Sequence, residues 1–538
     1  MDPFKTLRQL RSELKKANVK GLRKLARELP TFFREQITVE QAREEIKLAV
    51  DRRETEFLNS IRTHVYAYPD HPYLRLLKHA GCEFFDLQEQ VRQHGVENTL
   101  KQLASEGVYL TSEEFKGKKE VVRGGKSFRV SPKDFEPHGS TAGFAIQSSG
   151  TKNRPVSSFI SLDWLAVRAW AMAVFFSAHD LLSRSHALYD AILPGSAVNH
   201  LLINARLGRR TERWFARRIP FNTRLAGLYH YLTTHLIVLQ GKRFGLPMPE
   251  FTEAQDLHPI VYWVEQKRRE GKTCQITTIV SSAVRVAQTA DSMGLSLEGV
   301  RFVVSGEPFT EAKRKAIEQA GAVAVSHYAY GGGINAGFAC ANPGDLDEIH
   351  VNQHMLALIS HPESLVREGV KIHPLLCSTI RPESPRLLLN VENGDYGILK
   401  ERACGCPLGT VGLNLHLSHI RSYEKFTSEG MNYFYGDLFN FMEQVLPSEF
   451  GGAPGDYQLV EEEDRFGLTR LTLLVHPEVG TVNEAKLVTQ LQQSLAQACK
   501  DTRFMPRLWE EAGTFRVKRQ IPYASPRGKI LPLYISQT

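Results

Sequence analysis

Three groups of residues have the types and spacing to do chemistry. The first is Gln147-Ser148-Ser149-Gly150-Thr151-Lys152-Asn153-Arg154-Pro155, which follows the apolar Gly143-Phe144-Ala145-Ile146. A tight Ser/Gly/Thr loop leaving a strand aims backbone N–H groups and hydroxyls at one anionic group. It has neither the G-x-x-x-x-G-K-[ST] spacing of a P-loop nor a G-x-G-x-x-G turn, and by itself its composition is more often that of a plain surface loop. The second group is Ser305-Gly306-Glu307-Pro308 and Tyr328-Ala329-Tyr330-Gly331-Gly332-Gly333, each placed after an apolar run, together with Asn393-Gly394-Asp395-Tyr396-Gly397. The third is Cys404-Gly405-Cys406-Pro407, with Cys340 and His350 upstream. Three thiolates and an imidazole suit a closed tetrahedral Zn²⁺ site, against the alternative of reduced buried cysteines and an unrelated surface histidine. Cys82, Cys274, Cys377 and Cys499 read as structural.

The elements that must position these groups alternate clearly from Thr273 to Tyr330. The pattern predicts strands over 275–279, 299–304 and 322–325, with helices over 281–292 and 311–320 between them. Strand–helix–strand–helix–strand means a parallel sheet, whose ligands bind beyond the carboxyl ends of the strands. Two of those ends carry Ser305–Pro308 and Tyr328–Gly333. Upstream, a basic amphipathic helix is expected to about residue 35, then helices over 38–63 and 86–106, a capped start at Thr111, and a Lys/Gly-rich loop to Arg129. A long apolar helix is expected over 161–183. Its run Trp164 to Leu182 is broken by Arg168, His179 and Asp180, which argues for a buried helix and against a membrane span. Residues 189–198 read as a strand ending at a pocket, and the Arg-rich run 206–218 as a solvated helix face. Strands are expected over 350–359, 386–391 and 398–400, with a hairpin turn over 393–397. Past Arg421 a strand–strand–helix pattern marks a smaller α+β unit. The fold class is therefore α/β, with boundaries at 1–130 for a helical N-terminal extension or cap, 131–420 for a large ligand-binding domain and 421–538 for a small mobile domain.

The bulk properties narrow the classes. A chain of 538 residues exceeds one simple core. Lys+Arg 67 against Asp+Glu 59 gives a net charge of +8, a mild excess with no aromatic-interleaved basic tract. A nucleotide, coenzyme A or an acidic carrier protein accounts for that bias as well as a nucleic acid would. Seven irregularly spaced cysteines do not form a secreted disulfide framework. No signal-peptide pattern opens the chain, so a cytoplasmic protein is expected. The oligomeric state is left open, a homodimer included.

Taken in order, the Ser/Gly/Thr loop, the Gly-Glu-Pro after a strand, the aromatic-glycine loop, the Gly-Asp segment, the Arg-led junction and Pro-x5-Gly-Lys near the end resemble the acyl-adenylate-forming (AMP-binding) enzymes. Within them the chain looks most like the phenylacetate–coenzyme A ligase branch and its capsule-biosynthesis relatives, over roughly residues 38–533. The resemblance implies that Ser148, Ser149, Gly150 and Thr151 wrap the ATP β- and γ-phosphates, with Lys152 and Asn153 replacing the usual second Thr and Gly. It implies that Gly306, Glu307 and Pro308 bind adenine, that Tyr328 packs beside it, and that Asp395 holds the ribose hydroxyls. Arg421 matches the hinge arginine, and Lys529 the lysine that reaches the acyl carboxylate and α-phosphate. The implied activity is ATP-dependent, Mg²⁺-assisted formation of acyl-AMP, then acyl transfer to a thiol, coenzyme A by default. An amine or carrier-protein acceptor, and a weakened zinc-stabilised nucleotide-binding scaffold, are the alternatives. Some relatives in that branch look to carry a Cys/His cluster at positions matching Cys340, His350, Cys404 and Cys406. One departure stands out. The family's Tyr-Gly-x-Thr-Glu supplies a Mg²⁺-binding carboxylate, and Tyr328–Gly333 has none, which would leave Mg²⁺ to Thr151 and phosphate oxygens.

Overall fold

The alternation over 273–330 folds as parallel strands and lies at the middle of a larger sheet. The computed structural model describes residues 19–137, 141–147, 157–217, 224–252, 256–330, 333–367, 370–422, 425–428, 431–434, 441–452, 456–463, 469–498, 514–523 and 533–535. Along the chain, β1 (Val121–Arg123) pairs with β2 (Lys126–Phe128), and β3 (Gly143–Gln147) with β4 (Ser157–Ser161). There follow β5 (Ser185–Tyr189), β6 (Thr211–Arg217), β7 (Pro249–Thr252), β8 (Cys274–Ile279), β9 (Val300–Ser305) and β10 (Val323–Tyr330). Next come β11 (Ile334–Ala339), β12 (Ile349–Val351), β13 (Leu356–Ser360), the hairpin β14 (Leu365–Arg367) and β15 (Val370–Ile372), and β16 (Pro374–Thr379). β17 (Val391–Glu401) and β18 (Leu415–Ser422) complete a mixed twelve-stranded sheet, ordered β13-β16-β17-β18-β12-β11-β10-β9-β8-β5-β6-β7. Strands β5 to β10 pair in parallel, and from β10 onward every pairing in the sheet is antiparallel.

The parallel half is covered on both faces, which is why its strands read as continuous apolar runs. Helices His258–Arg269, Val280–Ser292 and Glu311–Gln319 bury Trp263, Val284, Ile317 and Phe302 on one side. Helices Leu162–Ala178 and Ala197–Arg206 bury Trp164, Leu202 and Trp214 on the other. Strand order runs outward from β5 to β7 on one side and from β8 to β10 on the other. The switch between β5 and β8 opens a crevice at their carboxyl ends, where ligands of such sheets bind.

The N-terminal helices Val19–Arg34, Val39–Asp51, Arg53–Ile61 and Phe84–Ser105 contribute Phe33, Ile46, Phe57 and Leu100 to the same hydrophobic cluster as the sheet. The helix expected over 38–63 starts at a Thr38–Gln41 capping box and breaks at Arg52 (φ −95°, ψ 3°). The one expected over 86–106 starts earlier, at Phe84, and is interrupted at Gly95 (φ 74°). The Thr111 cap is present, closed by a capping box with Glu114.

Four expectations are corrected. The Arg-rich run 206–218 is not a helix face. The helix ends at Arg206, and β6 follows with Trp214, Phe215 and Ala216 buried, so both faces of a strand are filled and the arginines lie between them. Its Arg209 is itself buried, donating to Leu181 O (2.7 Å) and Gln275 Oε1 (2.8 Å). The Lys/Gly-rich loop before Arg129 holds the β1–β2 hairpin, turned by Gly124 and Gly125 at φ 52° and 77°. Residues 393–397 form no hairpin: β17 runs through them, Gly394 taking φ 90° within the strand. The single strand expected over 350–359 is two, β12 and β13.

At the end of the chain, β19 (Lys425–Ser428) and β20 (Met431–Phe434) form a hairpin. A four-stranded sheet then orders β23 (Phe515–Arg519), β22 (Thr469–Val475), β21 (Tyr457–Glu463) and β24 (Leu533–Ile535). Helix Glu484–Ala498 packs on it through Leu487 and Leu491, in a hydrophobic cluster separate from that of the large sheet. No helix among the described residues is long and apolar enough to cross a membrane.

Candidate active site

β10 reaches past its parallel partner, and its last residues face β17 across the sheet's antiparallel turn. Tyr328 there donates its hydroxyl to Asp395 Oδ2 at 2.7 Å. Asn393, two residues before Asp395 on β17, donates to the same oxygen at 2.8 Å and to the Tyr328 hydroxyl at 2.9 Å. Its own side-chain oxygen accepts the Asp395 N–H at 3.0 Å, closing the arrangement. Burial, and then the Asp395 charge, push the Tyr328 hydroxyl well above its usual pKa, so it stays a donor. Tyr330 points into the core instead and donates to Val391 O. Tyr328 and Asp395, 67 residues apart in the chain, are thus one unit.

The ends of the hydroxyl-rich loop come to the same region. Residues 148–156, with Ser148, Ser149, Gly150 and Thr151, lie outside the described residues, but β3 and β4 bracket them as a hairpin with Gln147 opposite Ser157. Gln147 N donates to Pro194 O at 2.9 Å, tying the loop's start to the segment after β5. Buried Arg386 holds its far end, donating to Ser158 Oγ at 2.7 Å and to Ser157 O. Ile146 and Ile160 of this hairpin press on Gly333: a Cβ there would sit 2.5 Å from Ile160 Cδ1. Trp164 Nε1 fixes the Gly333 carbonyl at 3.1 Å. The β3–β4 hairpin and the β10–β11 turn are therefore in direct contact.

Gly306 and Pro308 sit at the carboxyl end of β9, Gly306 at φ 86°. The Glu307 side chain turns inward. Its carboxylate accepts from Ser281 N (3.0 Å) and Ser281 Oγ (2.8 Å), capping helix Val280–Ser292, and lies 4.0 Å from the buried Lys313 ammonium. Gly306, at the tip, is exposed. Arg421 on β18 stands opposite Tyr396 in register, one residue from Asp395, and donates to Asp347 Oδ2 at 3.2 Å. Lys529 and Cys499 lie outside the described residues.

The cysteine group converges. One ligand atom each from Cys340, His350, Cys404 and Cys406 lies within 4.8 Å of the others. His350 Nε2 is 3.6 Å from Cys404 Sγ and 3.0 Å from Cys406 Sγ. Tetrahedral zinc with bonds of about 2.3 Å to sulfur and about 2.0 Å to nitrogen sets such edges near 3.6 Å. His350 is fully buried, not on the surface, and its Nδ1 lies 2.6 Å from Leu413 O, which fixes the proton on Nδ1 and leaves Nε2 for the thiolates. Gly405 at φ 73° turns the knuckle. The mutual hydrogen bond of Cys340 and Cys406 pushes the Cys340 thiol up and the Cys406 thiol down. Buried Glu348, paired with His416 and with Arg402 at 2.6 Å, stands beside the cluster. The residues fit a structural zinc ion.

Three participants escaped the sequence reading. Asn393 was legible only as part of a turn pattern, and Arg386 and Arg402 carry no local signal because their partners are distant in the chain.

No family model matches the chain, and no curated protein matches it in sequence. Solved structures do resemble it. One is a 2-hydroxyisobutyryl-CoA ligase in complex with 2-HIB-AMP and CoA in the thioesterification state, at 13% identity and TM-score 0.49 over 91% of this chain and 90% of that one. Another is an amide bond synthetase from Marinactinospora thermotolerans, at 13% identity and TM-score 0.39 over 94% and 98%. A fatty acyl CoA synthetase from Mycobacterium tuberculosis shares 15% identity at TM-score 0.33 over 73% and 66%. At these identities and scores the likeness assigns neither substrate nor residue.

Proposed function

We propose that this chain is an ATP-dependent ligase that activates a carboxylic acid as acyl-AMP and passes the acyl group to a thiol, coenzyme A first. The observation that supports it most is the Tyr328–Asp395–Asn393 unit at the carboxyl end of the parallel strands, beside the hairpin that brackets the hydroxyl-rich loop. In this reading Asp395 receives the ribose hydroxyls through charge-assisted hydrogen bonds, with Tyr328 and Asn393 orienting its carboxylate. The backbone of Gly306–Pro308 edges the adenine, and Glu307 supports that bend from inside. Ser148, Ser149, Gly150 and Thr151 hold the phosphates, Thr151 with Mg²⁺. A carboxylate oxygen bonds to the α-phosphorus and pyrophosphate leaves with the electron pair, while Lys529 neutralises charge at that centre. The unit after Arg421 turns about residues 421–424 between the two half-reactions, and zinc on Cys340, His350, Cys404 and Cys406 is structural.

Lys529→Ala tests the assignment. ATP–pyrophosphate exchange with an accepted acid should fall at least about 100-fold, while thiolysis of pre-formed acyl-AMP persists. Unchanged exchange removes the role. Loss of acyl-AMP that ignores coenzyme A would move the acceptor to an amine or a carrier protein. The absence of any acid in Tyr328–Gly333 favours a second reading, a nucleotide-binding scaffold. ATP binding with no pyrophosphate release across a broad panel of acids would select it.

A further inference from the structure

Helix Leu162–Ala178 is buried along most of its length, and near its middle stands Arg168, only 6% exposed. Its Nε and Nη1 make no hydrogen bond, and it forms no ion pair among the described residues. Burial lowers its pKa to about 10, so the guanidinium remains charged at neutral pH. Beside it are His200 and His327, with ring centroids 5.9 Å apart. Burial is the main cause of their low pKa values, about 4 and about 3, and the Arg168 charge adds to both shifts. Both imidazoles are therefore neutral. His327 Nε2 and Asn199 Oδ1 also lack hydrogen-bond partners among the described residues. The carboxylate that acts on His200, Asp190, is already engaged by the Ala191 N–H (2.7 Å), the Ser196 hydroxyl (2.5 Å) and Arg217 (3.3 Å).

Among the described residues this leaves a buried cation without an ion-pair partner beside polar atoms without hydrogen bonds, an arrangement a folded protein keeps only at a cost. Its position is informative. Asn199 and His200 open the helix that follows β5, at the strand-order switch, and His327 is the chain neighbour of Tyr328 on β10. The cluster thus lies near the carboxyl ends of β5 and β10, with His327 on the sheet face opposite Tyr328, and ligands of such sheets bind beyond those ends.

We propose that Arg168, with His200 and His327, receives a second carboxylate of the acid, so that the substrate is a dicarboxylic acid adenylated at one end. This rests on the adenylating reading. A guanidinium meets a carboxylate with parallel charge-assisted N–H bonds, and a neutral imidazole adds one more donor. One carboxylate oxygen bonds to the α-phosphorus, the bond from that phosphorus to the pyrophosphate oxygen breaks, and pyrophosphate takes the electron pair. The second carboxylate stays an anion on Arg168 throughout.

Chain-matched pairs test this: succinate against butyrate, glutarate against valerate, phthalate against benzoate, each followed by pyrophosphate release. The wild-type kcat/KM should favour the dicarboxylate at least about 100-fold. Arg168→Met should bring that ratio toward one, and Arg168→Lys should keep part of it. Thermal shift without ATP gives a second readout: the same dicarboxylates should stabilise the wild type and not Arg168→Met. If Arg168→Met does not fold, His327→Leu carries the comparison, with the ratio expected to drop about tenfold. Equal use of both acids by the wild type, or an unchanged ratio in the variants, overturns the inference while leaving the adenylating reading intact. A loss in Arg168→Met that is equal for both acids also overturns it, because Arg168 would then hold the reacting carboxylate. Selective dicarboxylate stabilisation with no acid activated leaves the anion site standing and ends the adenylating reading. No activation and no stabilisation ends both.

Discussion

At the scale of single residues, a carboxylate is only as useful as the groups that aim it. Asp395 has Tyr328 and Asn393 on one oxygen, so its orientation is set before any ligand arrives. Asp395→Asn keeps the shape and removes the charge. It should raise KM for ATP about 10- to 100-fold, the worth of charge-assisted bonds of about 1.5–3 kcal/mol, with a melting temperature close to that of wild type. Buried histidines define a second residue-scale effect. His354 is fully buried, neither ring nitrogen has a hydrogen-bond partner among the described residues, and burial lowers its pKa to about 3. Its folded pKa lies below the unfolded value near 6.5, so the unfolded chain binds the extra proton. The stability tied to its neutral form is complete above about pH 6.5 and is lost as pH falls toward 3, by up to about 1.4 kcal/mol per pH unit. Melting temperatures between pH 7 and pH 4.5 should therefore decline less steeply in His354→Leu than in the wild type.

At the scale of elements, the Gly-Glu-Pro bend after β9 is held from inside by its own glutamate. Glu307 caps helix Val280–Ser292 through Ser281 and lies against Lys313, both side chains 1% exposed. Glu307→Gln leaves the Lys313 ammonium poorly compensated and should cost about 1–3 kcal/mol, read as a lower denaturation midpoint. A raised KM for ATP at unchanged stability would instead place the carboxylate on the nucleotide. The element boundaries were legible where one period dominates: the helices and strands over 274–320 fall within one residue of the expectation, while β10 runs five residues past its expected end at Val325. They were misread where two signals compete. The arginines of 206–218 suggested a solvated helix face, and the alternation of Thr211, Arg213 and Phe215 with Glu212, Trp214 and Ala216 is fully explained only by layers on both sides. Asn393-Gly394-Asp395 carries turn residues, yet pairing of β17 with β18 draws it straight.

At the scale of the whole molecule, the Cys/His cluster ties the start of β12 and the end of β11 to the connection between β17 and β18. A metal bound there joins chain segments more than 50 residues apart, which is where closing a link stabilises most. One zinc ion per chain is expected by elemental analysis of the purified protein. Cys406→Ser, or prolonged chelation, should remove it and lower the melting temperature by about 5 °C or more. Metal-free protein with an unchanged melting temperature would leave the four residues as reduced thiols around a buried imidazole.

The sequence by itself determined the α/β class, the parallel strands over 274–330 and the set of residue types able to form a nucleotide site and a thiolate cluster. Those are local properties, set by hydrophobic period and by side-chain chemistry. Only the tertiary structure decided which of them meet. It joined Tyr328 to Asp395, turned Glu307 inward, brought His350 between the cysteines and left Arg168 buried beside His200 and His327 with no ion-pair partner among the described residues. Each of these depends on strand order and on burial, and neither is written in any one stretch of chain.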